Sequence, residues 1–150
     1  MDRLVGAVLA GGSSRRMGRD KRLLRVGDTT LVERAAAALG AVLDDVVVAA
    51  GGGLEPCPGG LRTVRDRRPD QGPLAGIEAV FAAAGGRGLF VLACDLPNVG
   101  PEVVAHLIGA SDPSARRAAV WYAVQGPRRQ PLCGVWSAGC RPQVTAALDA

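Results

Sequence analysis

Lysine occurs once in the 150 residues, at Lys21, and histidine once, at His106. Aromatic residues make up only 3% of the chain. With so few rings there is little on which to stack bases, and the arginines are spread along the chain instead of forming one tract. A nucleic-acid partner is therefore disfavoured, although a net charge of +4 and an isoelectric point near 9.3 would permit one. A small anionic substrate fits the charge better. No apolar run approaches the ~20 residues that cross a bilayer, so no membrane association is expected. Met1-Asp2-Arg3 leads straight into a strand without the apolar core or cleavage site of a signal peptide, which makes a cytoplasmic location the expectation. The cysteines, Cys57, Cys94, Cys133 and Cys140, form no C-x-x-C pair and read as buried, reduced thiols. Repeats and low-complexity tracts are absent, as is any nucleophilic triad or metal-histidine cluster. The length suits a single domain over residues 1–150, burying roughly 68–70% of its unfolded surface.

The chain does contain a glycine-rich basic stretch, Leu9-Ala10-Gly11-Gly12-Ser13-Ser14-Arg15-Arg16-Met17-Gly18-Arg19-Asp20-Lys21, directly after the apolar run Leu4 to Leu9. The apolar run reads as a buried parallel strand, and open α/β sheets bind ligands where such strands end. Gly11 and Gly12 allow close approach and positive φ, so that successive amides can turn toward an anion ringed by Arg15, Arg16, Arg19 and Lys21. Neither of two commoner glycine loops fits. A P-loop places Lys and then Ser or Thr directly after its last glycine, but Gly18 is followed by Arg19 and Asp20. The dinucleotide fingerprint G-x-G-x-x-G fails because Gly11 and Gly12 are adjacent. In a chain that writes its cations as arginine, a single lysine at the end of this loop suggests a need for a compact point charge.

The signature L-A-G-G-x-S-x-R-M-G-x-D-K resembles the opening of the molybdopterin nucleotidyltransferases, which act on the molybdenum cofactor, and more broadly that of sugar-nucleotide pyrophosphorylases. The resemblance runs from Val5 to about Leu148. It implies a three-layer α/β/α sandwich around a Rossmann-like, mostly parallel sheet, of the nucleotide-diphospho-sugar transferase type. Strands alternating with helices support the same α/β class independently.

Along the chain, Leu23 to Asp28 read as a short extended piece and turn, and Thr29 or Thr30 caps a helix reaching about Gly40. Asp45 to Ala50 form a second buried strand, followed by a glycine turn at Gly51 to Gly53, a Pro56 to Gly60 loop and a short strand, Leu61 to Val64. Gly72-Pro73-Leu74-Ala75-Gly76 opens a helix to about Ala84, with Pro73 at its first position. Gly76 costs about 1 kcal/mol against alanine there, which close approach by a ligand or a neighbouring element would explain. Gly88 to Cys94 is the cleanest buried strand, ending at Asp95-Leu96-Pro97-Asn98, where a carboxylate would meet a Mg²⁺ and phosphates held by the first loop. A helix from Gly100 to Gly109 carries His106, whose setting reads as helix surface. Ala118 to Val124 and Pro131 to Ser137 read as strands joined by a basic turn, Gln125 to Gln130, and Pro142 opens a last helix.

On their own, Asp66 and Asp70 read as solvated carboxylates among arginines; the resemblance implies that Asp66 reads the guanine base. It also implies nucleotide contacts from Leu9, Ala10, Gly11, Gly12, Gly72, Pro73 and Leu74. Catalytic roles fall to Lys21, Arg15 and Asp95, with Asp95 as the ligand of a Mg²⁺ cofactor. Arg128 and Arg129 stand either against the acidic pterin phosphate or at a solvated hairpin tip. The L-A-G-G opening is the guanylyl type, in contrast to the L-A-A-G of cytidylyl enzymes. The implied reaction transfers GMP from GTP to molybdopterin-bound molybdenum and releases pyrophosphate, with cofactor-delivery or recipient-enzyme chaperones as protein partners. Two departures stand out. Where the family often has an asparagine after the second strand, Val48 is followed by Ala49-Ala50-Gly51, and the family's usual C-terminal segment is lacking. Alternatives are a cytidylyl or other small-acceptor nucleotidyltransferase, and a GTP-binding module without turnover.

Overall fold

The computed structural model describes residues 4–10, 23–51 and 57–150. Gly11, Gly12, Arg15 and Lys21 therefore lie outside the described residues. The elements run β1 (Leu4–Leu9), β2 (Arg25–Val26), β3 (Thr29–Thr30), α1 (Leu31–Gly40), β4 (Val46–Ala49), a 3-10 turn (Pro58–Gly60), β5 (Thr63–Val64), α2 (Pro73–Ala83), β6 (Gly88–Ala93), α3 (Pro101–Gly109), β7 (Val120–Gln125), β8 (Arg128–Trp136) and α4 (Cys140–Asp149).

Six strands form one sheet in the order β5-β4-β1-β6-β8-β7, and β2 pairs with β3 in a separate ladder. β5, β4, β1 and β6 are parallel, while β8 runs antiparallel to β6 and β7 antiparallel to β8. Both β1 and β6 are buried along their whole length, as strands covered on two faces must be. Alternate residues of β1 divide the core. Leu4 and Val8 pack with Val32, Leu39 and Val104 of α1 and α3. Val5, Ala7 and Leu9 pack with Ile77, Val80 and Phe81 of α2 and with Cys140 and Val144 of α4. The result is the expected three-layer α/β/α sandwich.

Thr30 is the cap of α1, and its capping box is complete: Glu33 N–H donates to Thr30 Oγ1 at 3.2 Å while Thr30 N–H donates to Glu33 Oε2 at 2.8 Å. Three boundaries differ from the sequence reading. β5 is confined to Thr63–Val64, and α4 begins at Cys140, two residues before Pro142. The turn read over Gln125 to Gln130 is only Gly126-Pro127, with Gly126 at φ 58°, and Arg128 to Gln130 are already strand. Polar residues mark a loop only where a strand is covered, and this overhanging ribbon is exposed at Arg128 and Arg129. The four cysteines are buried and form no disulfide, and burial pushes the Cys133 thiol up. His106 is exposed in the last turn of α3.

Candidate active site

From β1 the chain steps outward to β4 and β5, and then β6 returns on the other side of β1. The strand order therefore reverses between β1 and β6, which is where open α/β sheets form a ligand crevice. Leu9 pairs with Ala93 at that point, and Cys94 N–H donates to the Leu9 carbonyl at 3.1 Å. Ala10 is buried, with its N–H donated to the Ala49 carbonyl at 2.9 Å, and from it the chain enters the glycine-rich stretch.

Asp95 follows β6 in an exposed turn at the same carboxyl end. Leu96 N–H closes the turn onto the Ala93 carbonyl at 3.3 Å, and Arg34 of α1 donates from Nε to the Pro97 carbonyl at 2.9 Å. The Asp95 backbone is thus braced from both sides. β8 pairs with β6 only from Cys133 to Trp136, so the preceding residues and the Gly126-Pro127 turn overhang that same end. The register slips between Tyr122 and Ala123, whose partners are Gly134 and Gln130, and this bulge redirects the arm carrying Arg128 and Arg129.

The third component lies between β5 and α2. Gly72 caps α2 at φ 72°, ψ −165°, a region open essentially to glycine alone, and Asp70 has φ 63°. Gly72 and Pro73 are exposed and Leu74 half-buried at this helix start. Gly76 faces the sheet. A β-carbon there would stand 3.2 Å from Ala49 Cβ, 3.4 Å from Leu9 Cδ2 and 3.6 Å from Asp66 Oδ1, which gives the close approach its glycine suggested. Asp66 therefore reaches over the carboxyl ends of β1 and β4. Its Oδ1 is buried and, among the described residues, has no hydrogen-bond partner. Burial pushes the Asp66 carboxyl up from its ordinary 3.8.

Sequence reasoning did not single out Arg68 and Glu78. Arg68 Nε donates to Glu78 Oε2 at 3.1 Å and Nη2 to Oε1 at 3.3 Å, and Nη2 also lies 2.7 Å from Asp149 Oδ1. The available signal was Glu78 itself, the one charge in the otherwise apolar helix Pro73–Ala83. An apolar hollow of about 290 Å³, lined by Leu74, Ala118, Val120, Trp136 and Val144, sits between α2, α4 and the start of β7. It offers few polar groups to orient a nucleotide, and Asp66 and Asp95 do not line it.

A family model described as the MobA-like NTP transferase domain matches residues 6–150. The chain belongs to the MobA-like NTP transferase family. This MobA-like chain is similar to a probable molybdenum cofactor guanylyltransferase of Pelotomaculum thermopropionicum, 36% identical over 150 residues that cover 97% of this chain and 69% of the relative. It is also similar to the molybdenum cofactor guanylyltransferase of Cereibacter sphaeroides, at 36% over 153 residues, covering 99% and 76%. Among solved structures, the molybdopterin-guanine dinucleotide biosynthesis protein A of Archaeoglobus fulgidus superposes with a TM-score of 0.71 at 22% identity, covering 95% of this chain and 71% of that one. A nucleotidyl transferase from Methanothermobacter gives 0.72 at 23%, covering 100% and 77%. These superpositions establish the nucleotide-diphospho-sugar transferase fold, and family membership makes the MobA-like chain a nucleotidyltransferase of molybdenum cofactor biosynthesis. Among the described residues no helix is long and apolar enough to cross a membrane.

Proposed function

We propose that the chain transfers GMP from GTP to molybdopterin-bound molybdenum cofactor, releasing pyrophosphate. The observation that carries the choice of GTP is the buried Asp66 Oδ1 beside Gly76, which has no partner among the described residues. A carboxylate only accepts, and a buried acceptor without a donor is costly. Guanine answers this need with two adjacent donors on one edge, its ring N–H and its exocyclic amine. Cytosine, uracil and adenine present no such pair.

Nucleotidyl transfer requires alignment and charge neutralisation more than covalent catalysis. The attacking group, a phosphate oxygen of the acceptor, is already ionised at neutral pH, so no side chain need activate it. Lys21 and Arg15 neutralise the triphosphate, the amides of Gly11 and Gly12 orient it, and Leu9 and Ala10 fix where that loop leaves the sheet. Gly72, Pro73 and Leu74 border the nucleotide at the start of α2. Among the described residues no three His, Cys, Asp or Glu gather into a metal-holding group, so a metal held by Asp95 would draw on few protein ligands there. That suits Mg²⁺, which takes one or two carboxylates and completes its shell with water and phosphate oxygens. Bound by Asp95, Mg²⁺ would supply charge neutralisation at the phosphates. Arg128 and Arg129, overhanging the same end, serve the acidic pterin phosphate of the acceptor.

Pyrophosphate release measured separately from GTP, CTP, ATP and UTP, each with Mg²⁺ and molybdopterin-bound molybdenum, tests the proposal. A response to GTP alone is expected. Equal or greater release from CTP overturns the base assignment, and tight GTP binding without release identifies a binding module.

A further inference from the structure

The loop between β5 and α2 carries Asp66, yet residues 65–71 belong to no helix or ladder. Arg68, two residues on, is anchored at three points. Its guanidinium grips both oxygens of Glu78 on α2, at 3.1 and 3.3 Å, and reaches Asp149 in the last turn of α4 at 2.7 Å. Glu78 is only 9% exposed, and a carboxylate so placed is costly unless a cation is held against it. A planar fork meeting both carboxylate oxygens also restricts direction, which a point charge would not. The backbone at Arg68 is thereby fixed relative to α2, the helix whose Gly76 faces Asp66 Oδ1.

We infer that Arg68 is a positioning residue: clamped on Glu78 and Asp149, it holds the loop so that Asp66 keeps its carboxylate over Gly76, and it thereby sets the preference for a base with two adjacent donors. This rests on the reading of Asp66 as the group that meets the base.

Inosine triphosphate, which lacks the exocyclic amine of GTP, separates positioning from plain stabilisation. Dissociation constants for both nucleotides with Mg²⁺ are measured by calorimetry on the full chain and on Asp66→Asn, Arg68→Lys, Glu78→Gln and Asp149→Asn, with a melting curve for each. Losing a contact to a charged acceptor should shrink the GTP-over-inosine preference of Asp66→Asn about tenfold. Arg68→Lys and Glu78→Gln should lose at least about a third of that effect on a logarithmic scale, mainly through weaker GTP binding. If Asp66→Asn leaves the preference unchanged, the base-reading role falls and this inference falls with it. If Asp66→Asn abolishes the preference but Arg68→Lys weakens both nucleotides equally, the inference alone is overturned. Should Arg68→Lys and Glu78→Gln not fold, Asp149→Asn decides, since that side chain is 62% exposed and its loss leaves the core intact. It should give about a twofold loss of preference, and an unaltered preference overturns the inference.

Discussion

Asp66 holds an acceptor oxygen where no described donor reaches it, and stability and function pull this residue in opposite directions. Burial raises its native carboxyl above the ordinary 3.8 that the unfolded chain retains. The native state therefore holds this proton more tightly, and stability falls as pH rises from the unfolded value through the native one. Asparagine has no such dependence. Asp66→Asn should melt above the wild type at pH 7, with the gap shrinking as pH falls through the raised native value towards 3.8; a gap independent of pH would contradict the assignment. Guanine donors favour the ionised form, so GTP affinity should weaken as pH drops through the native value, as calorimetry across pH would show. At Lys21 the expectation is kinetic. Lys21→Ala should lower turnover by about 10²–10³, as loss of one preorganised donor to the transition state does, and unchanged steady-state kinetics would remove Lys21 from the mechanism.

At the scale of elements, two helix starts can be tested separately. Gly72 adopts a backbone region that alanine avoids, yet a β-carbon there would meet nothing within 4 Å. Gly72→Ala should therefore cost about 1–3 kcal/mol in urea denaturation from backbone conformation alone, and a neutral result would mean that α2 can start from another geometry. Thr30→Ala removes the capping box of α1 and should cost about 1 kcal/mol by the same measurement. These starts were legible because Gly-Pro before an apolar helix and Thr three residues before Glu are local signals. The buried strands were legible for the same reason, as unbroken apolar runs at Leu4–Leu9 and Gly88–Ala93. Arg128 to Gln130 were not, because a ribbon overhanging its sheet has the polarity of a loop. The grip of Arg68 on Glu78 and Asp149 joins residues 10 and 81 positions apart along the chain, a distance over which periodicity carries no information.

For the whole molecule, the sheet is continuous from β5 to β7, with α1 and α3 on one face and α2 and α4 on the other. Residues 1–150 should consequently unfold as one cooperative unit. Trp121 and Trp136 sit on β7 and β8, while far-ultraviolet circular dichroism averages over the helices on both faces, so the two signals should give coincident urea transitions. A tryptophan transition at lower urea would make the β7-β8 ribbon a separate unit. The reversal of strand order between β1 and β6 could be foreseen as a crevice at the carboxyl end of buried strands, from the order of apolar runs and glycine turns. The resemblance singled out Asp66, but its burial was not legible in the residues around it, since it depends on Gly76 and Leu9 from two other elements.

The two flanks of the sheet also differ in their exposure to self-association. β5 offers only two residues, Thr63–Val64, as a rung, too few amides to template an incoming strand from another molecule. On the far side β7 extends for six residues, interrupted by its slip against β8, and exposes Val124. Of the two flanks of this sheet, the β7 side is thus the more open to edge pairing, and Val124 is the place where a charge would oppose it.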